Sequence, residues 1–454
     1  MNLNLFNIMR GVGAVASGGG GASGLLLSFD NSTSGNSDYI TTSFADLYAG
    51  GFVLNPGTYG VSSLTYAGRT RIAKGSQQGR IFTTGADSGA SGNYRYGEFT
   101  IPTLVTGTDT TLFNVGANTQ PFRSISADFT VPHANPVITG FYYNSATDDL
   151  LIGATNYYGT TAGTTDYNMM RVAGASDLST ASHYGMFQMA GQELSGGYGC
   201  AIPAEYQTDL GGTHIFGGLC GGQIVTRLNN GVAAFVADIS DLTSATATTD
   251  TPATTPAMHF PYGNDSMMSA TPGLWNDGIA KMGNAWVNGE ADYTSDPSRS
   301  ATNYTDHSDV WNHLSWVAAA FFIPGTRTLM AIGVTGGLVS NIRYGDYDDT
   351  ATYRGSYFPY TSTDYANYYW LFDVDDPIAA IADPVTNPPE RIRPYQYGVI
   401  SGLPILAYNR EIVGAYYDEV TKQIVYAIQR GGTTKNGVSS PAFGVLDLSG
   451  VLPA

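Results

Sequence analysis

Apolar residues along this chain come in short runs separated by polar turns, and one such hairpin pattern recurs three times without a gap. The copies begin at Ile138, Val317 and Ile412. Each places a small residue (Gly140, Ala319, Gly414) two positions before an aromatic pair (Tyr142-Tyr143, Phe321-Phe322, Tyr416-Tyr417). A polar turn follows, and its threonine (Thr147, Thr326, Thr421) stands three residues before an aliphatic one (Leu150, Leu329, Ile424). Apolar residues on both sides of the turn predict two strands buried on both faces. Repetition of such a unit predicts stacked modules. Small residues in the first strand suit the crowded centre of a β-propeller, where blades converge.

A second pattern lies downstream of the hairpins: Phe235-Val-Ala-Asp238, Trp370-Leu-Phe-Asp373 and Gly444-Val-Leu-Asp447. It reads as an outer strand whose aspartate opens the exit turn by bonding the backbone. Asp375 and Asp376 belong to the same turn. Leu25 to Asp30 repeats the pattern near the N-terminus, and Arg95 to Ile101 echoes it without the aspartate. An N-terminal strand of this kind would complete the blade made by the C-terminus, closing a ring and removing sheet edges. Hairpins starting near Val61, Ile138, Gly197, Val317 and Ile412 give five blades, and Ile279 to Trp286 leaves room for a sixth. The expected fold is all-β, a propeller of five to seven four-stranded blades. It occupies residues 25–454 as one domain behind a Gly-rich tail, 1–24, with insertions at about 243–314 and 338–367.

The segment Gly97-Glu-Phe-Thr-Ile-Pro102 closing the first blade resembles the start of a group of bacterial and viral β-propeller proteins. So do Phe322-Ile-Pro-Gly-Thr-Arg-Thr-Leu-Met-Ala331, Trp370-Leu-Phe-Asp373 and Ile412-Val-Gly-Ala-Tyr-Tyr-Asp418. The similarity spans about residues 50–450 and concerns blade signatures, so it implies a propeller and no reaction.

Composition agrees with strands. There are 57 glycines and 31 tyrosines but seven glutamates and four lysines, the last two being good helix formers. A formal charge of -17 argues against a nucleic-acid partner, because phosphate binding needs a Lys/Arg surface. No apolar run reaches the roughly 18 residues of a membrane helix, so no membrane insertion is expected. Met1 to Gly24 makes a poor signal peptide, although Ala14-Val15-Ala16 imitates a cleavage site. The Gly-x-Gly run at Gly11 to Ala16 lacks the following helix that a dinucleotide fingerprint requires, since Gly18 to Gly21 would break it. Cys200 and Cys220 would face each other if their hairpin turned near Leu210, and not if it turned near Glu205 to Thr208.

Catalytic constellations are weak. Asp306, His307, Asp309 and His313 gather acids and imidazoles, but the stretch also reads as a capped turn before Val317. Glu98, Glu193, Glu205 and Glu290 are the acids available for glycoside cleavage, and no pair falls at a recognisable distance. Asp346, Asp348 and Asp349 form the one candidate metal group, of the oxygen-donor type that Ca²⁺ favours, against a plain acidic turn. No other cofactor is expected. The strongest signal is tyrosine. Tyr344, Tyr347, Tyr353, Tyr357 and Tyr360 crowd a single insertion, and Trp275, Trp286 and Trp311 form a second aromatic set. Such rings supply recognition loops or subunit contacts. The leading expectation is a non-enzymatic virion propeller of a phage tail, structural or receptor-binding. Its partners would be other virion proteins, copies of itself as a homo-oligomer, or a host surface glycan. The alternatives are a glycan-acting hydrolase or lyase, and a secreted or cell-surface carbohydrate-binding propeller.

Overall fold

A computed structural model describes residues 24–54, 70–86, 94–107, 109–130, 136–156, 167–189, 196–218, 232–246, 250–258, 310–311, 314–339, 342–347, 353–359, 364–389, 392–403, 411–428, 434–435, 438–439 and 441–453. The chain enters through β1 (Leu26–Ser28), its parallel partner β2 (Tyr39–Thr41), and β3 (Tyr48–Leu54). Blade 1 is β4 (Ile72–Lys74), β5 (Arg80–Ala86), β6 (Tyr94–Thr100) and β8 (Asn118–Ser124), with the short β7 (Val115–Gly116) in the connection before β8. Blade 2 is β9 (Pro136–Asn144), β10 (Asp149–Asn156), β11 (Met169–Ala173) and β12 (Ser182–Phe187). Blade 3 is β13 (Tyr198–Ala201), β14 (His214–Gly217), β15 (Ala234–Ala237) and β16 (Thr255–Met258). Blade 4 is β17 (Trp316–Ile323), β18 (Thr328–Gly336), β21 (Tyr365–Asp373) and β22 (Gln396–Val399), interrupted by the hairpin β19 (Ile342–Tyr347) and β20 (Tyr353–Pro359). Blade 5 is β23 (Ile412–Asp418), β24 (Gln423–Ile428), β27 (Ala442–Asp447) and β3, with β25 (Thr434–Lys435) and β26 (Val438–Ser439) as a small hairpin before β27.

The inner strands β4, β9, β13, β17 and β23 touch one another in that order, and β23 touches β4 again, so the five blades close a ring. Closure is a clasp between the chain's two ends: β3 pairs antiparallel with β27, and Phe52 stacks on Phe443 across the ladder. The closing strand is therefore Tyr48–Leu54, not the expected Leu25 to Asp30. Leu25 to Phe29 instead binds the side of blade 4: Leu27 N donates to Thr328 Oγ1 and Tyr395 Oη donates to Leu27 O. β7 then adds in parallel to β3, so the blade 1 connection covers the edge of blade 5. Two further expectations shift. The aspartate-ending runs are third strands (β15, β21, β27), with a fourth strand outside each. Blade 1's described inner strand is Ile72–Lys74; Val61 lies outside the described residues.

The repeated motif has a physical account. Adjacent residues of a strand point to opposite sheet faces, so an aromatic pair gives one ring to each neighbouring blade. Tyr142 packs on Phe216 of blade 3, and Tyr143 on Phe82 of blade 1. Phe321 stacks on Tyr417 of blade 5, and Phe322 on Tyr206 of blade 3. Just before each small residue the inner strand carries one extra residue, Thr139, Ala318 or Val413, where the register shifts. Such bulges bend a strand and increase its twist. The small residue then allows inner strands to approach: a Cβ on Gly140 would stand 2.1 Å from Gly197 O.

Candidate functional site: the loop face

Inner and third strands run the same way in every blade, so each connection belongs to one of two faces. On the turn face lie the first-to-second and third-to-fourth strand connections. The first-to-second connections are tight turns or, in blade 3, the helix Ala204–Leu210; the third-to-fourth ones carry the helices Ile239–Ser244 and Asp375–Ala382 in blades 3 and 4 and the strand β7 in blade 1. Gly79, Asp148 and Lys422 take left-handed backbone (φ 77°, 56° and 54°) just before the second strand of their blades, and Gly325 (φ 74°) does so inside the blade 4 turn. On the loop face the second-to-third connections and the links between blades begin and end. Stretches 55–71, 218–233, 259–315 and 337–364 join strand ends there, while 101–117, 238–254 and 374–395 are the longer links of the turn face.

Turn-face carboxylates are committed to holding the fold. Glu98 is fully buried; its Oε1 accepts from Ser76 N and Oγ, each at 2.6 Å. Its Oε2 accepts from Arg80 (3.2 Å), Thr119 (2.9 Å) and Gln120 (3.1 Å). Asp418 joins blade 5 to blade 1 through Lys74 (3.1 Å) and Gln78 (2.6 Å). Burial pushes Asp418 up, but the two donors together hold it below the usual carboxylate range. Asp373 accepts from Arg327 (2.8 Å) and from Asp375 N (3.1 Å), which bears out its reading as a turn residue. Glu205 is exposed in the first turn of the helix Ala204–Leu210. That helix occupies the hairpin turn, so Cys200 pairs with Ile215; Cys200 is a free thiol that burial pushes up to about 12. Cys220, Glu193, Glu290, His307 and His313 lie outside the described residues.

The floor of the loop face is made by inner-strand entrances. Buried Arg71 of blade 1 donates to Val413 O of blade 5 and, at 3.3 Å, to Ile138 O of blade 2. Thr139 Oγ1 donates to Gly196 O at 2.6 Å, and Ser315 bonds Thr335 at 2.8 Å. Among the described residues, Glu411 is the one carboxylate at these entrances.

From this face springs the tyrosine-rich hairpin. Its base is tied where β18 ends and β21 begins: Gly337 N donates to Asp364 O (2.9 Å), and Val339 N to Asp364 Oδ2 (3.0 Å). The register sets Tyr344 opposite Tyr357 and Tyr347 opposite Tyr353, with Asp346 opposite Arg354. Four of the candidate tyrosines thus occupy two directly opposed register positions. Trp311 belongs elsewhere: it is 1% exposed and packs on Trp370 at 5.2 Å, inside blade 4. Tyr360, Trp275, Trp286, Asp348 and Asp349 lie outside the described residues. Among the described residues no group of three or more His, Cys, Asp or Glu is placed to hold a metal. Sequence reading missed Arg71, whose signal is the Arg-Thr-Arg run, Arg69 to Arg71, at the head of an inner strand.

No family model and no curated protein matches this chain. Solved structures do resemble it. A mannose phosphorylase of Leishmania mexicana, MPT-4, solved with phosphate ion, is 10% identical with a TM-score of 0.33, covering 89% of this chain and 91% of that one. The catalytic domain of a Coprinopsis cinerea GH62 α-L-arabinofuranosidase is 11% identical with a TM-score of 0.33, covering 88% and 97%. The GDP-Man-dependent mannosyltransferase MPT-1 of Leishmania mexicana is 10% identical with a TM-score of 0.30, covering 89% and 92%. Likenesses of this degree bear on neither site nor ligand. What this chain itself presents is a five-bladed β-propeller with one compact face and one elaborated face.

Proposed function

We propose that this chain is a glycan-recognising propeller whose elaborated loop face binds an uncharged polysaccharide or surface glycan without cleaving it. The observation that carries the reading is the hairpin β19–β20, with its two tyrosine–tyrosine register pairs on the face where the longest connection, 259–315, also begins. Tyrosine offers a broad ring and a hydroxyl at low entropic cost, which suits sugar rings with an apolar face and a polar rim. A net charge of -17 repels uronate- or sulfate-bearing polymers, so neutral glycans are favoured. Cleavage by the usual route takes two carboxylates about 5–10 Å apart. The candidate acids Glu193 and Glu290 lie outside the described residues, so recognition is preferred on the aromatic hairpin and not on a count of carboxylates. A tail protein of a virion and an exported binder would use the same chemistry. The N-terminal tail behind the virion expectation lies outside the described residues.

The test is excision of the hairpin. Because Gly337 and Asp364 already close its base, residues 340–362 can be replaced by Asn-Gly with β18 and β21 left paired. On an array of neutral and acidic polysaccharides, the full chain should hold one or more neutral glycans, and the excised chain should lose at least about tenfold in affinity, roughly 1.4 kcal/mol. Equal binding by both chains would remove the hairpin from the reading. Release of reducing ends from a bound glycan would replace recognition with hydrolysis.

A further inference from the structure

Of the six histidines in the chain, the described residues include two, and both stand at the seams of blade 2. His183, on β12, has its Nε2 2.7 Å from Tyr96 Oη on β6 of blade 1. His214, on β14 of blade 3, has its Nε2 2.6 Å from Tyr142 Oη on β9 of blade 2. Two successive seams therefore close on the same pair, a tyrosine hydroxyl from one blade and an imidazole from the next.

The surroundings of each ring decide what a proton does there. Around His214 the cross-strand partners are Ala201 and Ala237, the ring beside it is Phe216, and Nδ1 is 3.0 Å from Thr213 Oγ1. Cys200 and Glu419 act on Tyr142 rather than on the imidazole, and burial alone pushes His214 down to about 4. Burial also holds Tyr142 far above its ordinary value, so its hydroxyl keeps its proton and donates to Nε2. The neutral ring is then satisfied at both nitrogens, and a second proton would create a buried charge beside no carboxylate. Around His183 stand Phe129, Tyr96, Asp128 at 3.4 Å, and Arg123, which grips Asp128 at 2.6 and 2.8 Å. Tyr96 Oη donates to Asp128 Oδ2 at 2.9 Å, so here the imidazole Nε2–H donates to the tyrosine. Burial lowers His183; Asp128 pulls the other way, and Arg123 pushes down again.

We propose that blade 2 is an acid-loosened segment: each of its seams holds a tyrosine–histidine contact, and protonation of His183 or His214 puts a new positive charge into that seam. Bonds that do not titrate in this range remain at blade 2's own seams, from Gln120 to Ala175 O, Arg123 to Leu178 O and Thr139 to Gly196 O. The other seams have no described histidine and use Lys74 with Asp418, Tyr206 with Thr326 O, and Asn367 with Ile412 N. Both histidines bind a proton more readily unfolded than folded. Their contribution is complete above pH about 6.5 and falls as the pH drops, for His214 down to about 4. At pH 5 the His214 shift alone favours opening by about thirtyfold.

Hydrogen exchange of the full chain, at about pH 7 and pH 5 and corrected for intrinsic rates, tests this. Amides of β9 to β12 should lose at least about tenfold in protection while β17, β18, β23 and β24 keep theirs. His214→Gln, which still accepts from Tyr142 but does not titrate, should remove most of the loss, and adding His183→Gln should remove the rest. Should these variants not fold, exchange of the imidazole C2 hydrogens in the unaltered chain reads each titration directly. Midpoints near 6.5 for both rings, or a loss spread evenly over five blades, would overturn the proposal.

Discussion

The two faces of this propeller are built from the same strands and obey different constraints. On the turn face, connections are tight turns, short helices or, in blade 1, a stretch that adds β7 to blade 5, and buried carboxylates are surrounded by donors; Glu98 alone accepts five hydrogen bonds. On the loop face, strand ends carry long insertions, and the polar groups at the floor serve mainly backbone carbonyls, as Arg71 does. The contrast separates what holds the ring from what can be varied upon it. Loops anchored on a rigid scaffold are where binding residues concentrate.

Three changes probe that contrast, the largest first. Glu98→Ala removes a fully buried carboxylate from buried Gln120 and from the half-buried Arg80, Thr119 and Ser76. It should cost about 3–5 kcal/mol, read as a lower urea midpoint at unchanged slope. A cost under about 1 kcal/mol would show that water replaces the carboxylate and that the turn face is less committed than drawn. Gly140→Ala acts at the axis, where a Cβ would stand 2.1 Å from Gly197 O. About 2 kcal/mol should be lost as blades 2 and 3 are forced apart, and Gly450→Ala, with nothing near its Cβ, serves as the neutral control. The smallest effect belongs to the loop face. Replacing 340–362 should move the melting temperature by no more than about 3 °C, since long surface insertions are weakly coupled to stability. A larger fall would mean that the hairpin packs on the blades as part of the fold.

The fold was legible where one residue answers to one physical demand. An aromatic pair must face both ways, and a glycine must sit where inner strands crowd, so the motif at Ile138, Val317 and Ile412 marked true inner strands. Pairing between distant segments left no such mark. Leu25 to Asp30 and Tyr48 to Leu54 are both short apolar runs, and nothing local says which of them meets β27; the former became a strap on blade 4. The aspartate runs were correctly tied to exit turns but assigned one strand too far out, because a buried third strand and an outer strand read alike in sequence. Trp311 shows the limit of composition in the candidate site: an aromatic near an insertion resembles a binding residue until its neighbour, Trp370, is known.

The clasp in blade 5 also sets the order in which the molecule can be made. β27 lies between β24 and β3, so the earliest strand of the ring waits for the latest before its ladder forms. Blades 2, 3 and 4 draw on consecutive stretches of chain and can assemble while it is still being synthesised. Ring closure must wait for the C-terminus, and it joins residues from opposite ends of the sequence, which makes it the slow, topologically costly step. Until then β3 presents an unpaired edge, and a second nascent copy could supply the missing strand.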